Sequence, residues 1–203
     1  MRSFRRAVSL CAAMVLPACG VDEPAGGLEE VFDVREAELV SAVSRGCVFE
    51  LTSVVRAGTL PPIHDIFLSR LASGTCAWPA ASIGLGTSII STPSLSLVAN
   101  DLGVAAGFTV KNGYSGSSPR TVGIKHVDPE LLTVVRNTGF AVYLGTGSVF
   151  LGYLAIGADG TTLTAGGTKA GIISPSETGS GSNFIATFPD FFTSTTPPSV
   201  VAY

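Results

Sequence analysis

From residue 47 to the C-terminus, short apolar or alternating runs follow one another, each closed by Gly, Pro, Asn, Asp or Ser. Val, Ile, Thr and Phe recur in these runs, and they are residues that strands favour. The 24 glycines and 12 prolines among 203 residues argue against long helices. The pattern therefore predicts an all-β domain. The predicted strands cover residues 47–55, 63–70, 81–89, 94–99, 104–111, 120–126, 131–137, 140–144, 149–156, 161–166 and 183–188. Of these, residues 63–70 could equally form one or two helical turns.

Turn sequences between these runs predict antiparallel hairpins. Asp101, Asp128 and Asp159 each lie in a turn between two apolar runs. Asp-Gly favours a tight turn and Asp-Pro favours turn initiation. A body of this length has the size of one domain. We expect a single antiparallel β-sandwich of two sheets, or a barrel-like variant of it, over residues 45–203.

Alternation along the runs also predicts which residues form the core, because successive side chains of a strand point to opposite faces. The predicted core residues are Phe49, Leu51, Leu95, Leu97, Phe108, Val110, Val122, Ile124, Val134, Tyr153, Ile156, Phe184 and Phe188.

The N-terminus has the organisation of a secretory signal. A basic stretch with Arg2, Arg5 and Arg6 precedes an apolar run over residues 7–18. A helix needs roughly 20 apolar residues to cross a hydrocarbon core about 30 Å thick, so this run is too short for a retained anchor. Cleavage of the leader is the better interpretation.

The end of the apolar run, Leu16-Pro17-Ala18-Cys19, resembles the lipobox of bacterial lipoproteins. The resemblance implies a diacylglycerol on the Cys19 sulfur, removal of residues 1–18 and acylation of the new amine, so that the acyl chains anchor the protein in a lipid bilayer. The alternative is an ordinary signal peptide with a chance cysteine. No acid follows Cys19 directly, which by the rule for enteric bacteria favours the outer over the inner membrane.

Removal of the leader changes the charge balance. The leader holds three of the 12 basic residues and none of the 15 acidic residues, so nine bases remain against 15 acids, a net charge of −6. The acids that precede residue 45 are Asp22, Glu23, Glu29, Glu30, Asp33, Glu36 and Glu38. The predicted domain over residues 45–203 has no net charge and follows an acidic stretch, so it offers no basic face. This excludes nucleic acid and anionic membrane surfaces as partners.

Residues 19–44 are predicted to form an acidic tether. Residues 20–27 are too polar and too rich in Gly and Pro to pack. From 28 to 43, apolar residues fall roughly at helical spacing. This second stretch is therefore either a short helix or a disordered spacer.

Cys47 and Cys76 are the two cysteines that remain after Cys11 leaves with the leader and Cys19 takes lipid. In an oxidising exported compartment we expect them to form a disulfide, with Trp78 packed nearby. Their spacing is not that of a Cys-x-x-Cys motif, and no histidine is close to either in sequence, which argues against a redox or metal pair.

No motif identifies an active site, and we predict no catalytic residue, cofactor or metal. His64 with Asp65 and His126 with Asp128 are the only histidine–acid neighbours, and no Gly-x-Ser-x-Gly elbow accompanies them. Two histidines cannot make a His-rich metal site.

The C-terminal residues Phe188, Phe191 and Phe192 lie close to prolines and could form an aromatic platform for a sugar or an extended peptide. The alternative is that these rings pack on the edge of the sandwich. The predicted function is a membrane-anchored envelope lipoprotein that acts as a binding or structural module, with an envelope protein or a glycan as ligand. The alternative function is an exported hydrolase of carbohydrate or cell-wall material.

Overall fold

The computed structural model describes residues 39–143 and 147–203, and these residues form strands, turns and loops without a helix. Accordingly, none of the described residues belong to a helix long and apolar enough to cross a membrane. The described strands are β1 (Leu39–Ser44), β2 (Cys47–Val55), β3 (Ile63–Arg70), β4 (Ala81–Ile89), β5 (Ser94–Asn100), β6 (Gly103–Lys111), β7 (Arg120–Val127), β8 (Val134–Phe140), β9 (Ser148–Ile156), β10 (Leu163–Ala170), β11 (Thr178–Gly179), β12 (Asn183–Phe188) and β13 (Ser199–Ala202).

The strands form three open sheets. The first sheet has the order β1-β2-β3-β4, the middle sheet β5-β6-β7-β8 and the last sheet β11-β13-β12-β10-β9. Every pairing is antiparallel except the short one between β11 and β13. The predicted all-β antiparallel sandwich is confirmed, with three sheets instead of two and without barrel-like closure.

The middle sheet packs on both of its faces. Every residue of β6 is buried. Val104, Ala106 and Phe108 face the first sheet, whereas Ala105 faces the last sheet. A strand covered on both faces carries small or apolar residues throughout, and for this reason β6 lacks the polar–apolar alternation of an exposed strand.

Two hydrophobic cores result, one on each side of the middle sheet. The disulfide core, against the first sheet, contains Cys47, Phe49, Leu51, Ile66, Leu68, Leu85, Leu95, Leu97, Val104, Ala106, Phe108, Val110, Val127 and Leu132. The phenylalanine core, against the last sheet, contains Ala105, Val122, Ile124, Phe140, Val149, Leu151, Leu154, Leu163, Ala165, Ile173, Phe184, Ala186, Phe188, Phe191, Phe192 and Val200.

Hydroxyl groups of the middle sheet accept hydrogen bonds from the edge strand of the last sheet. Thr109 Oγ1 accepts a hydrogen bond from the Leu151 amide at 2.8 Å, and Ser96 Oγ accepts one from the Leu154 amide at 2.9 Å. Both amides belong to β9, which is the last strand of its sheet. An edge strand normally presents unpaired amides, so these bonds satisfy donors that burial would otherwise leave without partners.

Most strands were located correctly by the sequence pattern. β2, β3, β4 and β12 begin and end at the predicted residues, and β5, β6, β7 and β9 differ by one residue at one end. The two separate strands predicted over 131–137 and 140–144 are wrong, because β8 (Val134–Phe140) replaces them. The turns at Asp101, Asp128 and Asp159 are confirmed as the connections of the hairpins β5-β6, β7-β8 and β9-β10.

The start of the domain differs from the prediction. Leu39–Ser44 is strand β1, which pairs with β2 along its whole length. The short helix considered over 28–43 is therefore wrong for residues 39–43, and the rest of that stretch lies outside the described residues. Pairing with a neighbouring strand supplies backbone hydrogen bonds that local spacing of apolar residues does not reveal.

Ten of the thirteen predicted core residues are buried, and two are clearly exposed. Val134 is 41% exposed at the start of the edge strand β8, and Tyr153 is 43% exposed. In β9, Leu151 and Tyr153 pair with the consecutive residues Gly167 and Gly166, so Gly152 is an extra residue. Such a bulge reverses the alternation, which turns Tyr153 outward.

Candidate functional site

The predicted site cysteines divide between the described and the undescribed parts of the chain. Cys19 lies outside the described residues. The sulfur atoms of Cys47 and Cys76 are at disulfide bonding distance, so the predicted pair is confirmed. Trp78 packs against the disulfide core, and its carbonyl oxygen lies 3.3 Å from Cys76 Sγ. The bond joins β2 to the loop after β3 and has a structural role.

The predicted aromatic residues lie in the interior. Phe188 and Phe191 have no exposed surface, and Phe192 is 7% exposed. Phe191 meets Phe188 and Phe192 edge to face, with ring centroids 5.6 and 5.3 Å apart. A platform needs exposed ring faces. Of the two interpretations of this segment, packing of the rings on the sandwich agrees with the structure and the platform does not, because the three rings lie in the phenylalanine core.

Arg136 holds the segment that follows these rings. Its Nη1 donates to the carbonyl oxygens of Phe191 and Ser194 at 3.2 and 2.6 Å, and its Nη2 donates to that of Thr196 at 2.8 Å. The guanidinium carbon lies 4.9 Å from the Phe191 ring centroid. Burial lowers the pKa of the Arg136 guanidinium from its usual value. The side chain thus combines carbonyl hydrogen bonds with a cation–π contact.

His126 lies beside Arg136, because the two residues are paired across β7 and β8. The imidazole is 5% exposed and contacts the Phe192 ring edge to face at 5.1 Å. Its Nε2 is buried and has no hydrogen-bond partner among the described residues. Burial lowers the pKa of His126, and it outweighs the opposing effects of the Leu102 carbonyl and the Asp128 carboxylate. The ring is therefore neutral at neutral pH.

A cavity of about 90 Å³, open on one side, adjoins these two side chains. Its lining residues are His126, Val135, Arg136, Phe191, Phe192, Thr193, Ser194 and Thr195. The unpartnered Nε2 of His126 does not face this cavity, because it is buried against Gly103, which is not among the lining residues. The cavity, the neutral imidazole and the guanidinium together form the candidate functional site.

The two histidine–acid neighbours do not form catalytic pairs. Asp65 accepts hydrogen bonds from Arg56, and on β3 it faces away from the buried His64. Asp128 Oδ1 accepts the backbone amide of Glu130 at 2.8 Å and that of the next residue at 2.7 Å. Each carboxylate therefore stabilises local structure and is not positioned to orient an imidazole.

Sequence reasoning did not single out Arg136. In the sequence it is an isolated base among apolar and polar residues, and it lies ten positions from His126. Only the pairing of β7 with β8 makes them neighbours, and only the return of the chain after β12 brings Phe191 over them. No spacing rule for a known motif would have found this set.

The comparisons add no family to this picture. No protein-family model, curated protein or solved structure matches the chain. Within residues 39–143 and 147–203, no three His, Cys, Asp or Glu side chains come together as a metal site would require.

Proposed function

We propose that this protein is a membrane-anchored lipoprotein of a bacterial cell envelope and that its β-domain acts as a binding module. The observation that carries the anchor is Leu16-Pro17-Ala18-Cys19, directly behind a basic and an apolar stretch. Two or three acyl chains on Cys19 would hold the protein effectively permanently, since a single chain gives only reversible attachment.

The paired cysteines support an exported location. Disulfides persist in the periplasm and at cell surfaces but are rare in the reducing cytosol. Cys47 and Cys76 are at bonding distance, and Cys47 is fully buried. A leader that directs export and a domain closed by a disulfide are consistent with each other.

A binding role fits the domain better than catalysis. The acids next to both histidines are engaged in local hydrogen bonds, so neither histidine has a carboxylate placed to activate it, whereas a cavity is present beside His126 and Arg136. A site that holds a molecule needs complementary groups and space, but no activated nucleophile. The ligand in the envelope would be a protein, a glycan or a smaller molecule.

Substitution of Cys19 tests the anchor. In the native host, we expect Cys19→Ala to lose incorporation of a labelled fatty acid and either to appear in the soluble fraction or to remain an unprocessed precursor. Cys11→Ala is the matched control, since it removes a leader cysteine outside the lipobox. An acylated, membrane-bound Cys19→Ala protein would contradict the proposal, as would a wild-type protein without label.

A second experiment tests which membrane holds the protein and which molecules the domain contacts. We propose the outer membrane as the location, because Gly20 and Val21 follow Cys19 without an acid between them. Density separation of the two membranes tests this, and co-sedimentation with the inner membrane would refute it. Protease treatment of intact cells, followed by cross-linking of the released domain, would then identify its neighbours.

A further inference from the structure

The outer face of the last sheet, which points away from the phenylalanine core, carries no acidic or basic side chain on its four main strands. The outward residues of β9, β10, β12 and β13, with the residue that follows β13, are Phe150, Tyr153, Ala155, Thr164, Gly166, Thr168, Asn183, Ile185, Thr187, Ser199, Val201 and Tyr203. Arg120 of β7 lies at the border, with its guanidinium carbon 5.0 Å from the Phe150 ring centroid. The face therefore offers a partner aromatic, hydroxyl and amide groups.

The ring of Tyr153 lies over the backbone of Gly166, its partner across β9 and β10. A methyl group on Gly166 would overlap the Cε1, Cζ and Oη atoms of this ring. One side of the ring therefore covers the glycine. The other side is open, since Tyr153 is 43% exposed. The bulge at Gly152 sets this orientation by turning Tyr153 outward.

Two further exposed rings lie on the same face. Phe150 is 38% exposed and Tyr203 is 59% exposed. Phe150 pairs with Thr168, which pairs with Asn183, and Asn183 exchanges two backbone hydrogen bonds of 3.1 Å with Tyr203. Three strand spacings thus separate the Phe150 and Tyr203 backbones, about 14 Å, and Tyr153 lies about 7 Å along the strand from their row. A ligand that contacts all three rings must be an extended chain.

The groups between the rings suit a chain of sugars. The hydroxyls of Thr164, Thr168 and Thr187 and the amide of Asn183 can each donate and accept a hydrogen bond. The face of an aromatic ring carries partial negative charge, which attracts the C–H groups that sugar rings expose. A charged partner would lose water here without gaining an opposite charge. An extended peptide would bind at a strand edge, where backbone groups are free, and not on a sheet face.

We infer that the outer face of the last sheet binds a neutral, extended polysaccharide. The rings of Tyr153, Phe150 and Tyr203 contact sugar rings, and the threonines and Asn183 bond to sugar hydroxyls. This inference rests on the proposed binding role of the domain and names a ligand class and a surface for it. It does not depend on the anchor at Cys19.

The test uses the full-length protein in a non-ionic detergent without a sugar headgroup, followed by NMR. The probes are four neutral β-1,4-linked hexamers, namely cellohexaose, mannohexaose, xylohexaose and chitohexaose. We expect saturable shifts of the Tyr153 ring signals and of the Gly166 amide with at least one of them. If none of the four produces such shifts, the inference is overturned, whereas cross-linking to envelope neighbours still tests the binding role by itself.

The length of the probe tests the extended character of the site. The monosaccharide of the hexamer that binds can cover only one ring, so we expect its affinity to be at least about tenfold lower. Equal affinities of the monosaccharide and the hexamer would refute binding along the three rings.

Two tyrosine variants locate the bound chain. Tyr153→Ala should weaken binding of the hexamer about tenfold, because the variant loses both aromatic contact and buried area. Tyr114→Ala is the matched control, since Tyr114 is 61% exposed in the loop between β6 and β7. Its affinity should equal that of the wild type. Equal affinities of the two variants would contradict the assignment of the face.

Gly166→Ala tests the orientation of the ring without removing it. The added methyl group displaces the Tyr153 ring from the sheet, so we expect affinity to fall several-fold. Near-UV circular dichroism checks that each variant is folded, and the probe comparisons on the wild type decide the matter if a variant is not. Cross-linked dimers that Tyr153→Ala abolishes, together with no binding of any hexamer, would assign the face to a second copy of the chain and refute the inference.

Discussion

The two cores of the sandwich are held together in different ways. The disulfide core is closed covalently between β2 and the loop after β3, whereas the phenylalanine core is closed by aromatic rings from β8, β12 and the following turn. Rings such as Phe140 and Phe184 meet edge to face, at 5.6 Å between centroids. Such contacts stabilise this core through large buried apolar area and edge-to-face ring geometry, and not through a covalent bond.

Each core also has one arginine that holds loops to a sheet, and the two arginines differ in their surroundings. Arg70 is 4% exposed and donates to the carbonyl oxygens of Pro79, Pro129 and Glu130. It is surrounded by partners, whereas Arg136 borders a cavity. The unpartnered His126 nitrogen is on the same side as Arg136. The candidate site therefore lies beside the phenylalanine core, which has no disulfide among the described residues.

The largest effect should come from removing a buried ring of the phenylalanine core. Phe188 has no exposed surface, so we expect Phe188→Ala to lower the free energy of unfolding by about 3–5 kcal/mol. Urea unfolding measures this loss. Tyr153→Ala, at a 43% exposed ring on the outer face, is the control and should cost much less. Equal losses would mean that the ring packing does not hold this side together.

Removal of the disulfide should have the next largest effect. The Cys47→Ala, Cys76→Ala double variant opens a loop with a sequence separation of 29. Chain entropy predicts a loss of roughly 3–4 kcal/mol. The midpoint of thermal unfolding measures it, with wild-type protein treated with a reductant as the comparison. A loss below about 1 kcal/mol would show that apolar packing alone holds the disulfide core.

Replacement of the two arginines compares the loop attachments directly. Arg70→Lys and Arg136→Lys keep the charge but lose the planar set of donors. We expect a loss of about 2 kcal/mol for Arg70→Lys and a smaller loss for Arg136→Lys, because Arg70 is more deeply buried. Urea midpoints provide the measurement. The reverse order would contradict the expectation that the more deeply buried Arg70 makes the stronger attachment.

The smallest effect concerns pH. Burial holds the pKa of His126 below its ordinary value of 6.5. The stability that depends on the neutral ring is therefore fully present above about pH 6.5 and is lost as the pH falls through the lowered folded-state pKa. The charged groups that act on this ring are Asp128, which opposes the shift, and Arg136, which adds to it.

Unfolding experiments at about pH 7.5 and pH 5 test this dependence. His126→Phe should reduce the loss of stability on acidification relative to the wild type. His64→Phe makes the same substitution on the first sheet, where burial also lowers the pKa of the histidine. If His126→Phe leaves the pH dependence unchanged, the protonation of that ring does not govern the stability of the phenylalanine side.

The sequence predicted the strands well because most of them are self-contained patterns. Alternation in β2 and β12, closed by turn residues, locates each strand without knowledge of its neighbours. β1 was missed because its apolar spacing also suits a helix, and only its pairing with β2 distinguishes the two. Tyr153 was misplaced because a bulge depends on the partner strand, which local alternation does not record.

The candidate site was largely beyond sequence reasoning. The grouping of Phe188, Phe191 and Phe192 is visible in the sequence, but the burial of these rings depends on the middle sheet against which they pack. The disulfide was predictable because the proposed leader and lipidation account for Cys11 and Cys19, which leaves Cys47 and Cys76 with one possible pairing. Arg136 and His126 come together through strand register, and a single sequence contains no direct record of register when both strands have mixed patterns.

The sequence by itself determined that this domain is an antiparallel β-sandwich with one disulfide, and it contains the N-terminal basic and apolar stretches and Leu16-Pro17-Ala18-Cys19, from which we propose the leader and the anchor. These properties depend on local composition and short spacings. The tertiary structure alone decided that the strands form three sheets, that Phe188, Phe191 and Phe192 lie inside, and that a cavity opens beside His126 and Arg136. The physical reason is that the burial of a side chain and the position of a cavity depend on which sheet faces pack together. That packing is formed by contacts between residues far apart in the chain.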